Sequence, residues 1–91
     1  MIKWNATKNT NVPNISGAYL ITVETIIHDC VHKYVTSAYF NTFRGKYRWV
    51  WEDEAGTTEF RNSCVTEWES DGEYSRYAIV AWAEMPKPYK E

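Results

Sequence analysis

The hexapeptide Tyr47-Arg48-Trp49-Val50-Trp51-Glu52 alternates without a break, and this constrains the fold more than any other stretch. Tyr47, Trp49 and Trp51 fall on one side of an extended chain, and Arg48, Val50 and Glu52 on the other, which is the period of a strand. Turn residues bracket it. Arg44-Gly45-Lys46 precedes it, with Gly45 suited to the positive φ of a tight hairpin, and Asp53-Glu54-Ala55-Gly56 follows. Thr57-Thr58-Glu59-Phe60 then returns as a further strand. Strand, turn, strand, turn, strand is a meander, and a meander makes an antiparallel sheet.

The rest of the chain agrees. Ala18 to Ile26 reads as a strand with Tyr19, Ile21 and Val23 on one face and Leu20, Thr22 and Glu24 on the other. Tyr34 to Phe43 is β-branched and aromatic, and Tyr77 to Ala83 is an apolar run that Pro86 and Pro88 bring to a stop. Leu occurs once, at Leu20, while Trp, Tyr and Phe make up 16% of the chain, a balance that favours strands. Residues 61–74 fit two patterns. Phe60, Asn62, Cys64, Thr66 and Trp68 alternate, yet Cys64, Val65 and Trp68 sit at helical spacing, and a short helix is the reading preferred for part of this stretch. The expected architecture is α+β, mainly antiparallel β: one small sheet, a meander of about four to five strands, with at most one short helix. Ninety-one residues suffice for one domain, with an irregular lead-in over 1–17, in which Trp4 tucks back onto the core, and a Pro-containing tail over 86–91.

The net charge of −2 conceals an asymmetry. Residues 1–51 hold six Lys/Arg against two acids (+4), and residues 52–91 hold four against ten (−6). That balance argues against a duplex nucleic-acid binder, which is usually basic overall. No apolar run is long enough to span a membrane. The start lacks the charged and apolar regions of an export signal, so Cys30 and Cys64 are expected as reduced thiols in a cytoplasm.

One set of residues carries a family resemblance: Trp4, Pro13, Gly17, Tyr19, Leu20, Ala38, Tyr39, Trp82, Pro86 and Pro88, spread over nearly the full length. Their order, ending in Ile79-Val80-Ala81-Trp82-Ala83-Glu84-Met85-Pro86-Lys87-Pro88, resembles the DUF551 family, a domain of unknown function common in small proteins of phages and prophages. The chain departs from that pattern beside Trp82. Val80-Ala81 stands where the family has Thr-His, and Ala83-Glu84-Met85-Pro86 stands where it has Met-Pro-Leu-Pro. The resemblance implies a bacterial or phage origin and a non-catalytic accessory role, and it supplies no active site.

Three constellations have chemistry to weigh. His28, Cys30 and His32 would share a side of an extended segment, with Cys64 as a fourth zinc-type ligand, against the plainer reading of two connector histidines and a thiol. A bend in the segment would spoil the set, and no cofactor is expected. Tyr47, Trp49 and Trp51 with Arg44 and Lys46 could stack and clamp a nucleotide-like ligand, while the plainer reading makes the three rings core. Acid pairs such as Glu52 with Glu54 and Glu67 with Glu69 lie in polar, turn-like stretches and read as solvated surface. No phosphate-cradling glycine loop or nucleophile elbow is present, so the expectation is a protein that is not an enzyme.

Two functions follow as expectations. The first is a phage-type accessory protein in the cytoplasm of a bacterial host, binding a protein partner, with counter-defence as one such task. A dry ring cluster with a broad acidic face would favour it. The second is a small-ligand or nucleotide-sequestering protein, which an exposed aromatic and basic pocket would favour. Self-pairing of a sheet edge into a homodimer is a further expectation: the strand at Tyr77 to Ala83 must be either covered or paired with its copy.

Overall fold

A computed structural model describes residues 1–53 and 56–86 of the chain. Seven strands form one antiparallel sheet: β1 (Asn5–Ala6), β2 (Gly17–Ile27), β3 (Cys30–Phe43), β4 (Lys46–Asp53), β5 (Gly56–Arg61), β6 (Val65–Ser70) and β7 (Glu73–Glu84). Their spatial order is β1-β7-β2-β3-β4-β5, with β6 beside β1 on the same flank of β7. The sequence led to fewer strands and a short helix. Instead, the alternating reading of residues 61–74 prevails, because β6 pairs residue by residue with β7 from Val65↔Ala78 to Ser70↔Glu73.

Tight turns set three of the registers. His28 and Asp29 (φ 51° and 65°) join β2 to β3, Arg44 and Gly45 (φ 52° and 80°) join β3 to β4, and Asp71 and Gly72 (φ 53° and 78°) join β6 to β7. Two successive left-handed residues match the twist of the strands they connect. Residues 54 and 55 of the β4–β5 connection lie outside the described residues, as does the tail beyond Pro86.

Alternation then divides the faces. Ile21, Val23, Ala38, Phe40, Trp49, Trp51, Phe60 and Ile79 close into one core. Beyond Val50 the strand β4 ceases to pair with β3 and carries Trp51 over the inner face of the sheet. There Trp51 stacks on Tyr77 at 6.0 Å, and Phe60 meets both rings edge-on, at 5.4 Å from Trp51 and 6.0 Å from Tyr77. The curled sheet thus covers its own inner side. Its outer side stays open.

The lead-in is more ordered than expected, and Trp82 is the reason. Its indole Nε1 donates to the Asn11 carbonyl at 2.9 Å, its ring meets Tyr19 edge-on at 5.5 Å, and Asn5 and Ala6 pair with Trp82 and Ala81. Thr7 adds two bonds, from its amide to Val80 O (3.1 Å) and from its hydroxyl to Ile79 O (2.8 Å). Trp4, by contrast, stays on the surface rather than tucking into the core. Of the two fates open to the last strand, covering is the one realised: β7 lies between β2 on one side and β1 with β6 on the other.

A row of charges crosses the outer face. Glu24 of β2 receives Lys33 of β3 at 3.5 Å and Arg76 of β7 at 3.2 Å, and Arg76 reaches Glu67 of β6 at 3.5 Å. Alternating signs on four adjacent strands favour the native register over a slipped one.

Candidate functional site

The strand directions turn the charge asymmetry of the sequence into a polarity in space. The β2–β3 and β6–β7 turns lie side by side at one end, where His28 Nδ1 meets the Glu73 carboxylate and Ile27 pairs with Ser75. The β3–β4 turn is at the other end of a molecule 53 Å long. Glu67, Glu69, Asp71 and Glu73 therefore gather at the first end on the β6–β7 hairpin, with Asp29 beside them. Arg44, Lys46, Arg48 and Arg61 gather at the second.

The acidic end is an arm rather than part of the core. Every residue of β6 is exposed, and β6 has β7 as its only strand neighbour among the described residues. Yet the arm carries Trp68 and Tyr74, exposed by 44% and 36%. Core packing does not account for a tryptophan in that position.

At the basic end, three strands line up on the outer face. Asn41, Arg48 and Arg61 are direct partners across β3, β4 and β5, and Phe43 stands opposite Lys46. Two guanidinium side chains at paired positions repel one another. Glu59 answers part of this charge: it pairs with Arg61, and that contact together with Arg48 nearby holds its carboxyl below the usual range. Phe43 and Tyr39, exposed by 70% and 50%, share the face. Arg44 lies over the Phe43 ring at 5.1 Å. A shallow groove of about 400 Å³ runs between Asn41, Phe43, Lys46, Arg48 and Arg61.

The ligand set read from the sequence is split by this arrangement. Trp49 and Trp51 are core residues with no ring face open to a ligand, and Tyr47 is half-buried with its ring stacked on Phe40 at 5.7 Å. Arg44 and Lys46 are exposed beside the turn. The plainer reading of the three rings therefore holds, for the reason that favoured it: a small domain needs their area to exclude water.

His28, Cys30 and His32 do not assemble either. His28 occupies the first turn position in a left-handed conformation, so alternation starts anew at Cys30 and the histidine turns towards Glu73. Among the described residues, no three His, Cys, Asp or Glu side chains lie close enough to hold a metal ion. Cys64 packs instead in a cleft of about 650 Å³ behind the lead-in, with Tyr47, Thr7 and Val80 around it.

Burial pushes the Cys64 thiol up, and the Trp49 and Tyr47 side chains beside it only partly oppose this. A raised thiol holds less thiolate at any given pH, and thiolate is the nucleophile. Cys30 is exposed and free. Iodoacetamide at neutral pH should therefore label Cys30 at least about tenfold faster than Cys64, as peptide mass spectrometry over a time course would record. Equal rates would mean that the cleft admits solvent freely.

Sequence reasoning missed Trp68, Tyr39, Phe43 and Arg61. Parity within β3 was the available signal, since Ala38 and Phe40 in the core put Tyr39 and Phe43 outside. The pairing of Arg48 with Arg61 had no such signal, because it depends on the length of the β4–β5 connection.

Among the described residues, no helix is long and apolar enough to cross a membrane. No family model, curated protein or solved structure matches this chain.

Proposed function

We propose that this chain is a non-enzymatic binding protein that presents its acidic β6–β7 arm to a basic surface of a protein partner. The observation that carries this reading is Trp68. It is large and apolar, exposed by 44%, and carried on a two-stranded arm whose other face and turn bear Glu67, Glu69 and Asp71. Trp and Tyr dominate the energetic centres of protein interfaces. Carboxylates on the same arm speed encounter with a cationic surface and select against acidic ones. The dry cluster of Trp49, Trp51, Phe60 and Phe40 supports a protein partner over an enclosed nucleotide pocket. A phage-type accessory role in a bacterial cytoplasm, counter-defence included, is the setting that the DUF551 resemblance suggests.

Affinity capture from bacterial extract, compared between the parent chain and Trp68→Ala, tests the reading. A partner held by the arm should be weakened about thirtyfold, while the melting temperature changes by no more than a surface substitution would cause. Glu67→Lys with Glu69→Lys should lower the capture rate and its dependence on salt. If every protein retained by the parent chain is retained equally by Trp68→Ala, the arm is not the binding element and the reading fails.

A further inference from the structure

We infer that the basic end of the open sheet face binds single-stranded nucleic acid, at a site separate from the acidic arm. Arg48 faces Arg61 across adjacent strands, Lys46 follows two residues along, and the exposed rings of Phe43 and Tyr39 share their surface.

Three features lead to this ligand class. The first is charge. Lys46, Arg48, Arg61 and Arg44 gather there, and among the described residues the ion pair they make with a carboxylate is that of Arg61 with Glu59, which Arg48 also approaches. Like charges at paired positions of a sheet cost stability, and a row of phosphates would remove that cost. The second is the rings. Phe43 and Tyr39 lie four residues apart on the outer side of β3, about 13 Å at the usual rise of a strand. That spacing suits splayed bases of one strand, each stacking on a ring. The third is shape. The groove beside Arg48 spans the ends of β3, β4 and β5 and is open to solvent, so it does not enclose a free nucleotide.

The remaining members of the face fit the same role. Asn41 stands next to Arg48 and offers an amide to a base edge or a phosphate. Arg44, already lying over Phe43 at 5.1 Å, adds a planar cation beside the stacking ring. The carboxylates of the arm sit at the opposite end of the molecule, beyond the roughly 10 Å over which charges act at ordinary salt. The overall charge of −2 therefore does not describe what a strand would meet here.

Fluorescence anisotropy with a labelled fifteen-nucleotide oligothymidylate tests the site. Binding should weaken with salt at a slope of about −2 in log K against log salt, as expected for about three phosphates neutralised. Phe43→Ala should weaken it about tenfold, Phe43→Tyr should preserve it, and Arg48→Gln with Arg61→Gln should flatten the slope by about one. Trp68→Ala should leave it unchanged, which separates failure here from failure of the arm as a protein-binding element. The melting temperature of each variant, measured alongside, guards against unfolding. The proposal is overturned if the oligonucleotide does not bind at low salt, or if duplex DNA or a free nucleotide competes as well as the strand. It is equally overturned if well-folded Phe43→Ala and the double arginine variant bind as the parent chain does.

Discussion

Trp49→Ala is expected to abolish most of the folded population near physiological temperature. The ring is fully buried, lies 4.6 Å from Phe40 and 6.4 Å from Tyr19, and is the largest fully buried side chain of the domain. Removing it loses the transfer free energy of the ring and leaves a cavity that flanking aromatics cannot collapse to fill, at a cost of about 3–5 kcal/mol. Domains of this size commonly have only about 5–15 kcal/mol in total. Each kcal/mol lowers the melting temperature by about 4–8 °C, so a fall of about 15–30 °C is the expected reading in thermal denaturation followed by near-ultraviolet dichroism. A fall below about 5 °C would mean that the rings repack around the loss and that the core is not held as described. Among the described residues, the indole nitrogens of Trp49 and Trp51 have no hydrogen-bond partner. Both rings therefore contribute through buried area and packing.

Phe60→Ala should act differently, by opening part of the molecule. Phe60 is the only buried residue of β5, and β5 has β4 as its single strand neighbour among the described residues. Its ring joins the β4–β5 hairpin to Tyr77 of β7 through the cluster with Trp51. Truncation should cost about 3 kcal/mol. Because the pairing of β2 with β3 and β7 does not depend on that ring, the loss should appear as local opening. In hydrogen exchange, amides of 47–61 should lose protection first, while those of 19–25 and 77–83 keep theirs at low denaturant. Simultaneous loss everywhere would make the domain a single cooperative unit and contradict this division.

The two expectations depend on one geometric event, the departure of β4 from β3 after Val50. It turns a sheet with one wet and one dry side into a sheet folded over itself. It also leaves the outer face of β3 and β4 uncovered, and so makes Phe43, Tyr39 and Arg48 available to a ligand.

Much of this was legible in the order of residues. Period-two alternation placed Tyr19, Ile21 and Val23, and Tyr47, Trp49 and Trp51, on faces that are indeed the inner ones. Gly45 marked its turn, and the apolar run at residues 79–83 marked a strand. These are local properties: side-chain alternation and turn conformation follow from neighbouring residues and from the backbone. The same logic left residues 61–74 undecided, because a short apolar pattern fits both periods and only pairing with β7 settles it as β6.

Tertiary structure decided the rest. A bulge in β7 pairs Ile79 and Ala81 with the consecutive residues Val23 and Thr22 of β2, leaving Val80 over, and this returns Trp82 to the inner face with Ile79. Strict alternation along β7 does not announce that change, yet it is what lets Trp82 latch the lead-in. Whether aromatic residues are core or site was likewise settled by contact. Trp49 is closed in by Phe40 and Tyr19, whereas Trp68 on its arm is left 44% exposed. Composition alone fixed how many rings the chain has, and alternation fixed which of them share a side. Which side meets water depends on where β4 and β5 close over the sheet, and that closure joins residues far apart in the chain whose packing no local pattern encodes.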